Sequence, residues 1–118
     1  MYDKNNVFAK ILRKEIPCNV IYEDEKVLFF EDINPQAKIH ILAIPKMSVV
    51  DYYDFISKAD TDTVSHFFSM INFIIDKYSL KKNGFRVVTN SGKDGNQEVP
   101  HFHFHILGGE NLKGIRRN

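Results

Sequence analysis

The chain has 118 residues, 43% hydrophobic and 26% charged, which fits one compact domain over residues 1–118 with a core that needs no covalent staples. Sixteen basic against fifteen acidic residues leave a formal charge of +1, so neither nucleic acid nor an anionic membrane is expected as the main partner. Cys18 is the single cysteine, which rules out an internal disulfide or a cysteine metal cluster, and the polar start "MYDKNNVFAK" carries no apolar leader, so a cytoplasmic location is expected.

In chain order, Val7, Phe8, Ile11 and Leu12 recur at helical spacing, with Asn5 or Asn6 as the N-cap and Pro17 as the stop. "CNVIYEDEKVLFFED" reads as two β-rich runs hinged at Glu23-Asp24-Glu25, a hairpin. The turn-rich "INPQAK" leads into a strand over 39–45, closed by Pro45. A short helical piece is expected near Tyr52 to Ile56 in an otherwise mixed segment. From Asp60 or Thr61 onward, Val64, Phe67, Phe68, Ile71, Ile74, Ile75 and Tyr78 form an apolar stripe of helical period. "KKNG" ends it, with Gly84 as the left-handed cap. "FRVVTN" is a strand, "SGKDGNQE" a Gly-rich loop and "VPHFHFHIL" the last strand, while the tail "KGIRRN" reads as a solvated basic run. This order predicts an α+β domain: an antiparallel sheet of about five strands with a short N-terminal helix and one long helix packed on it.

Three of the five histidines fall in "HFHFH". On a strand, His101, His103 and His105 share one face while Phe102, Phe104 and Ile106 share the other. Packing accounts for the phenylalanines but poorly for three rings on the opposite face. A metal site is one reading, since His-x-His chelates well and Glu98 or His40 could complete a set. However, His101 and His105 lie about 13 Å apart along a straight strand, too far to converge on one ion with bonds of about 2.1 Å. A relay is the other reading. Neutral imidazole is nucleophilic, neighbouring rings sit about 6.6 Å apart, and a phosphate can bridge them. One ring would then form a covalent bond to phosphorus while another handles the proton. The upstream loop offers backbone N–H groups, and its glycines permit close approach to phosphate oxygens.

"HFHFHIL" resembles the His-φ-His-φ-His-φ-φ signature of the histidine triad (HIT) superfamily, φ being apolar. "FAKILRKEIPCNVIYEDEKVLFFEDINPQAKIHILAIPK" and "GFRVVTNSGKDGNQEVPHFHFHILGG" are similar to its Hint branch, the purine-nucleotide-binding phosphoramidases. The resemblance implies that His103 attacks the α-phosphorus and becomes nucleotidylated. His105 would contact the phosphate and leaving group, with His101 and His40 completing a hydrogen-bonded histidine set. Asp32 would hold the ribose hydroxyls, and Phe8, Ile16, Phe30 and Ile33 would form the slot for the base. Asn90, Asn96, Gln97 and Glu98 would surround the ribose-phosphate. The implied activity is hydrolysis of purine nucleoside 5′-phosphoramidates without cofactor or metal, by a homodimer with the long helix at its interface. The rival activities are cleavage of dinucleoside polyphosphates, nucleotidyl transfer, or nucleotide binding with incidental hydrolysis.

Taken singly, these residues have plainer explanations. Phe8, Ile16 and Phe30 read as core, Asp32 as a turn residue before "INP", His40 as a structural histidine, and His66 as surface. The chain also departs from the family pattern. Glu98 stands where some Hint relatives carry a serine that assists the leaving group, and Asn96 where glycine is common. The first helix lacks the cysteines through which some bacterial relatives bind zinc. The tail beyond "LGG" is unlike the Hint C-terminus, which leaves substrate choice open.

Overall fold

The computed structural model describes residues 1–114, so the end of the basic tail, 115–118, lies outside the described residues. Helix α1 (Val7–Leu12) precedes the hairpin β1 (Val20–Glu23) and β2 (Val27–Glu31) and the central strand β3 (Ile39–Pro45). Two helices follow, α2 (Tyr52–Lys58) and α3 (Thr61–Lys77), then β4 (Phe85–Val88) and β5 (Phe104–Gly108). The five strands form one antiparallel sheet in the order β1-β2-β3-β5-β4. This is the expected α+β arrangement, and β3 and β5 lie side by side at its centre.

Alternation along the strands sorts the core into two clusters, because successive side chains leave opposite faces of a sheet. Val27, Phe29, Ile41, Ala43 and Ile106 meet Phe55 of α2 and Phe67, Ile71, Ile74 and Ile75 of α3. Leu28, Phe30, Leu42 and Ile44 meet Phe8 and Ile11 of α1 on the other face. Burying one such side chain contributes about 1.5–3 kcal/mol. Helices α2 and α3 together cover most of one face. The short helix covers only part of the other, and the uncovered part is where the histidines sit.

Both apolar helices end differently from the sequence expectation. The long helix stops at Lys77, before "KKNG": Leu80 N–H bonds to the Ile75 carbonyl (3.0 Å) and Ser79 N–H to the Asp76 carbonyl (3.0 Å). That is a Schellman cap, with Ser79 in the left-handed region (φ 56°) and Leu80 buried beneath it. Gly84 also has positive φ but belongs to the next turn. In α1 the same motif closes the helix at Lys14 (φ 64°), so it ends ahead of Pro17. In both helices the backbone turns left-handed before the glycine or proline is reached, and the two backbone bonds across that residue close the last turn; Leu80 is buried beneath the α3 cap, whereas the matching Glu15 of α1 is exposed. Ser79→Gly is expected to raise stability by about 1 kcal/mol in urea unfolding, because glycine adopts that φ without a Cβ clash. An unchanged midpoint would show that Ser79 carries no such cost.

His66, expected at the surface, is half-buried and ties α3 to the β1–β2 turn. Its Nε2 lies 2.7 Å from Asp24 Oδ2, which also accepts from the Tyr22 hydroxyl (2.8 Å). Burial works against the Asp24 charge, but the Lys26 and Val27 amides, His66 and Tyr22 outweigh it and hold the carboxyl down to about 2. No helix among the described residues is long and apolar enough to cross a membrane.

Candidate active site

The β5 ladder begins only at Phe104, so the expected strand over "VPHFHFHIL" is realised in its second half. Residues 99–103 are irregular, yet they keep the alternation of faces. Phe102 stacks on Phe55 (4.8 Å between ring centres) and packs against Phe67, while His101 and His103 lie edge-on to Phe8 on the opposite side. Bonds from outside the sheet hold this stretch. Phe102 N–H donates to the Val49 carbonyl (2.9 Å), and Thr89 Oγ1 donates to the His103 carbonyl (2.6 Å).

The hydrogen bonds fix every tautomer in the histidine set. His101 Nε2 faces the Pro45 carbonyl at 2.8 Å, and a carbonyl only accepts, so this nitrogen carries the proton. His103 Nδ1 faces the His101 carbonyl at 2.7 Å and is protonated for the same reason, which leaves its Nε2 with a free lone pair. His40 Nδ1 accepts the Gln36 amide (3.0 Å), so its proton is on Nε2, which donates to His105 Nδ1 at 2.9 Å. His105 therefore keeps its own proton on Nε2. Two ring atoms remain without a protein partner: an acceptor at His103 and a donor at His105. Among the described residues no buried side-chain nitrogen or oxygen lacks a partner, so both free atoms are open to the space beside them.

That space is a cavity of about 740 Å³. It is lined by eleven of the sequence candidates: Phe8, Ile16, Phe30, Asp32, Ile33, His40, Asn90, Asn96, Glu98, His103 and His105. Phe8 stands edge-on to both Phe30 (5.5 Å) and His103 (5.0 Å), joining the apolar end of the cavity to the ring with the free lone pair. Ile33 is 88% exposed at the rim. Asp32 Oδ1 accepts the Asn34 amide (2.8 Å), and its Oδ2 lies 3.4 Å from His40 Nε2.

Two candidates stand outside the cavity. His101 is fully buried behind His103 and reaches the site only through its carbonyl. Gln97 donates to the Val50 and Val99 carbonyls (2.6 and 3.0 Å) and accepts the Gly92 amide (3.0 Å), so it braces the loop. The loop glycines do not line the cavity either. Gly95 is required by the loop's own turn, since a Cβ there would lie 2.3 Å from the Ser91 carbonyl oxygen. Sequence reasoning missed Val7, Pro17, Cys18, Asn34 and Gln36 in the wall, and Tyr2 behind it. Gln36 acts through its backbone and Tyr2 is 99 residues from its partner, so neither left a local signal.

Burial favours neutral rings throughout the set. It holds His101 and His105 down to about 4, opposed for His101 by the Pro45 bond and reinforced for His105 by the neighbouring rings His103 and His40. His103 and His40 are also lowered, by burial first. The unfolded chain therefore takes up protons near the ordinary 6.5 while the fold resists them until about 4. Stability is complete above pH 6.5 and falls as pH drops toward 4, His101 alone removing about 3 kcal/mol. Urea midpoints measured from pH 7 to pH 4 are expected to fall across that window. A flat profile would contradict the neutral histidine set.

Asp32, His40 and His105 bring a carboxylate oxygen and two ring nitrogens within 4.8 Å of one another, and among the described residues they are the group that could hold a metal ion. The 2.9 Å between His40 Nε2 and His105 Nδ1 is a hydrogen-bond length with one proton between the rings. A metal would have to displace that proton.

With this geometry established, comparison with known proteins gives consistent results. The HIT domain family profile matches residues 13–112. The chain is 51% identical over 118 residues to an uncharacterized HIT-like protein of Rickettsia prowazekii, covering 100% of this chain and 98% of that one. A histidine triad protein from Clostridium difficile superposes with a TM-score of 0.87 at 42% identity, covering 98% of this chain and all of the other. A HIT family hydrolase from Legionella pneumophila gives a TM-score of 0.86 at 36% identity, covering 92% and 96% of the two chains.

Proposed function

The chain belongs to the HIT family, and from that premise we propose that it hydrolyses purine nucleoside 5′-phosphoramidates through a nucleotidyl-His103 intermediate. HIT membership and a neighbour described as a HIT family hydrolase support the coarser reading of a nucleotide-binding hydrolase. The observation that carries the finer one is the pairing of a free acceptor at His103 Nε2 with a free N–H at His105 Nε2 beside one cavity.

In this reading the base enters the apolar end between Phe8, Phe30, Ile16 and Ile33, and Asp32 accepts from the ribose hydroxyls. The His103 Nε2 lone pair attacks phosphorus. The P–N bond breaks with its electron pair passing to the bridging nitrogen, which takes one proton from solvent water at the mouth of the cavity and leaves as a neutral amine. His105 N–H donates to a phosphoryl oxygen as charge moves onto it. Glu98 orients first the amine and then the water. Water attacks the adduct, one proton staying with the nucleoside monophosphate and one passing to solvent, and His103 is restored.

The charge of the wall favours phosphoramidates over dinucleoside polyphosphates. Its described residues include Glu31, Asp32 and Glu98 but neither lysine nor arginine. Each added phosphate would bring negative charge with no cation to meet it. The test is release of AMP from adenosine 5′-phosphoramidate beside diadenosine tetraphosphate, followed by chromatography. Faster turnover of the phosphoramidate is expected. Faster turnover of the polyphosphate would replace this reading, and tight AMP binding without turnover of either would favour a binding module.

A homodimer and a cytoplasmic location belong to the same reading. Phe73 on α3 is nearly half exposed beside Tyr22, an apolar pair that a second copy would cover. Light scattering should give twice the chain mass, and a monomer mass would remove the dimer.

A further inference from the structure

Tyr2 reaches the histidine set from the opposite end of the chain. Its hydroxyl lies 2.6 Å from His101 Nδ1, and the two rings meet edge to face at 5.6 Å. His101 Nε2 already carries the proton given to the Pro45 carbonyl, and the buried ring is neutral, so Nδ1 is a lone pair and Tyr2 O–H is the donor. His101 is thus clamped at both nitrogens. Its carbonyl in turn holds the Nδ1 proton of His103 and thereby keeps the His103 Nε2 lone pair free.

The segment that presents Tyr2 is built to stay in place. Asn6, 5% exposed, caps α1 by accepting the Ala9 amide (2.9 Å) and donates back to the Asp3 carbonyl (2.7 Å). Asp3 Oδ1 accepts the Asn5 amide (2.8 Å), and Arg13 donates to the Lys4 carbonyl (2.9 Å). Residues 3–6 are therefore a closed turn anchored to the helix, with Tyr2 projecting from it onto His101. Tyr2 does not line the cavity.

We propose that Tyr2 is a positioning residue for His103: its phenol locks His101, and the locked His101 carbonyl selects the His103 tautomer that can attack. The inference rests on the reading of His103 as the nucleophile. Without the phenol, the buried His101 Nδ1 has no donor. The ring then shifts to find one, the carbonyl moves with it, and His103 is released to place its proton on either nitrogen.

Tyr2→Phe tests this, because it keeps the ring contact and removes only the hydroxyl. With adenosine 5′-phosphoramidate as substrate, kcat is expected to fall about three- to tenfold with KM unchanged. The ring-nitrogen NMR shifts of His103 should move from a single Nδ1–H tautomer to a mixture. Tyr22→Phe, which removes a phenol bond of similar length on the α3 side of the sheet, is the control for lost stability and should change neither readout. An unchanged kcat, an equal loss in the Tyr22 variant, or a wild-type His103 spectrum in Tyr2→Phe would overturn the proposal. The spectroscopic arm needs no substrate. Failure of the wild type to cleave phosphoramidates would therefore count against the proposed function and leave the effect of Tyr2 on His103 still measured.

Discussion

His103→Ala is expected to lower phosphoramidate turnover by on the order of 10⁴-fold or more while leaving the sheet folded. The size follows from what the ring supplies. Its Nδ1 proton is committed to the His101 carbonyl, so Nε2 is the one unpaired lone pair among the four rings of the set. His101 and His40 have both nitrogens engaged by protein atoms, and His105 offers a proton on its free side. No neighbour can take over the attack. The cost in stability is small by comparison, because the ring's main packing partner, Phe8, also rests against Phe30. A variant within about tenfold of the wild-type rate would mean that His103 is not the nucleophile.

Phe102→Ala is expected to destabilise the protein by about 3–5 kcal/mol, a large share of the stability of a domain this size. Phe102 is fully buried and contacts Phe55, Phe67 and Phe104. Alanine would leave a cavity among aromatic rings that cannot collapse around it. Phe102 also anchors the irregular stretch between His101 and His103, so turnover should fall along with the urea midpoint. Phe102→Leu, which fills more of the space, should recover part of both. A loss below about 1 kcal/mol for alanine would show that the backbone bond to Val49 holds this segment without the side chain.

The elements that follow a repeating apolar pattern were legible in the sequence. The stripe from Val64 to Ile75 lies on α3, with Tyr78 at its C-cap, and the alternation of Leu28 and Phe30 against Val27 and Phe29 separates two clusters on opposite faces. The histidine face was legible for the same reason, since alternation survives even where the ladder does not. What the pattern did not contain was bonding to distant partners. Val49, Pro45 and Thr89 hold residues 101–103, and none can be inferred from "HFHFH" itself. The family resemblance placed Gln97 around the ribose-phosphate, but its amide is spent on backbone carbonyls. Ser79 and Lys14 close their helices at left-handed positions that no glycine marks. Tyr2 carried no signal at all.

The most direct test of the account is to look for the covalent intermediate. Wild-type protein mixed with adenosine 5′-phosphoramidate, quenched in base within a single turnover and digested, should yield a peptide containing His103 that is heavier by one adenylyl group. The adduct should be lost on brief acid treatment, as a phosphorus–imidazole bond is. Turnover with no adduct on any histidine would mean that water attacks phosphorus directly, and an adduct on His105 would mean that the tautomers derived from the hydrogen bonds are reversed.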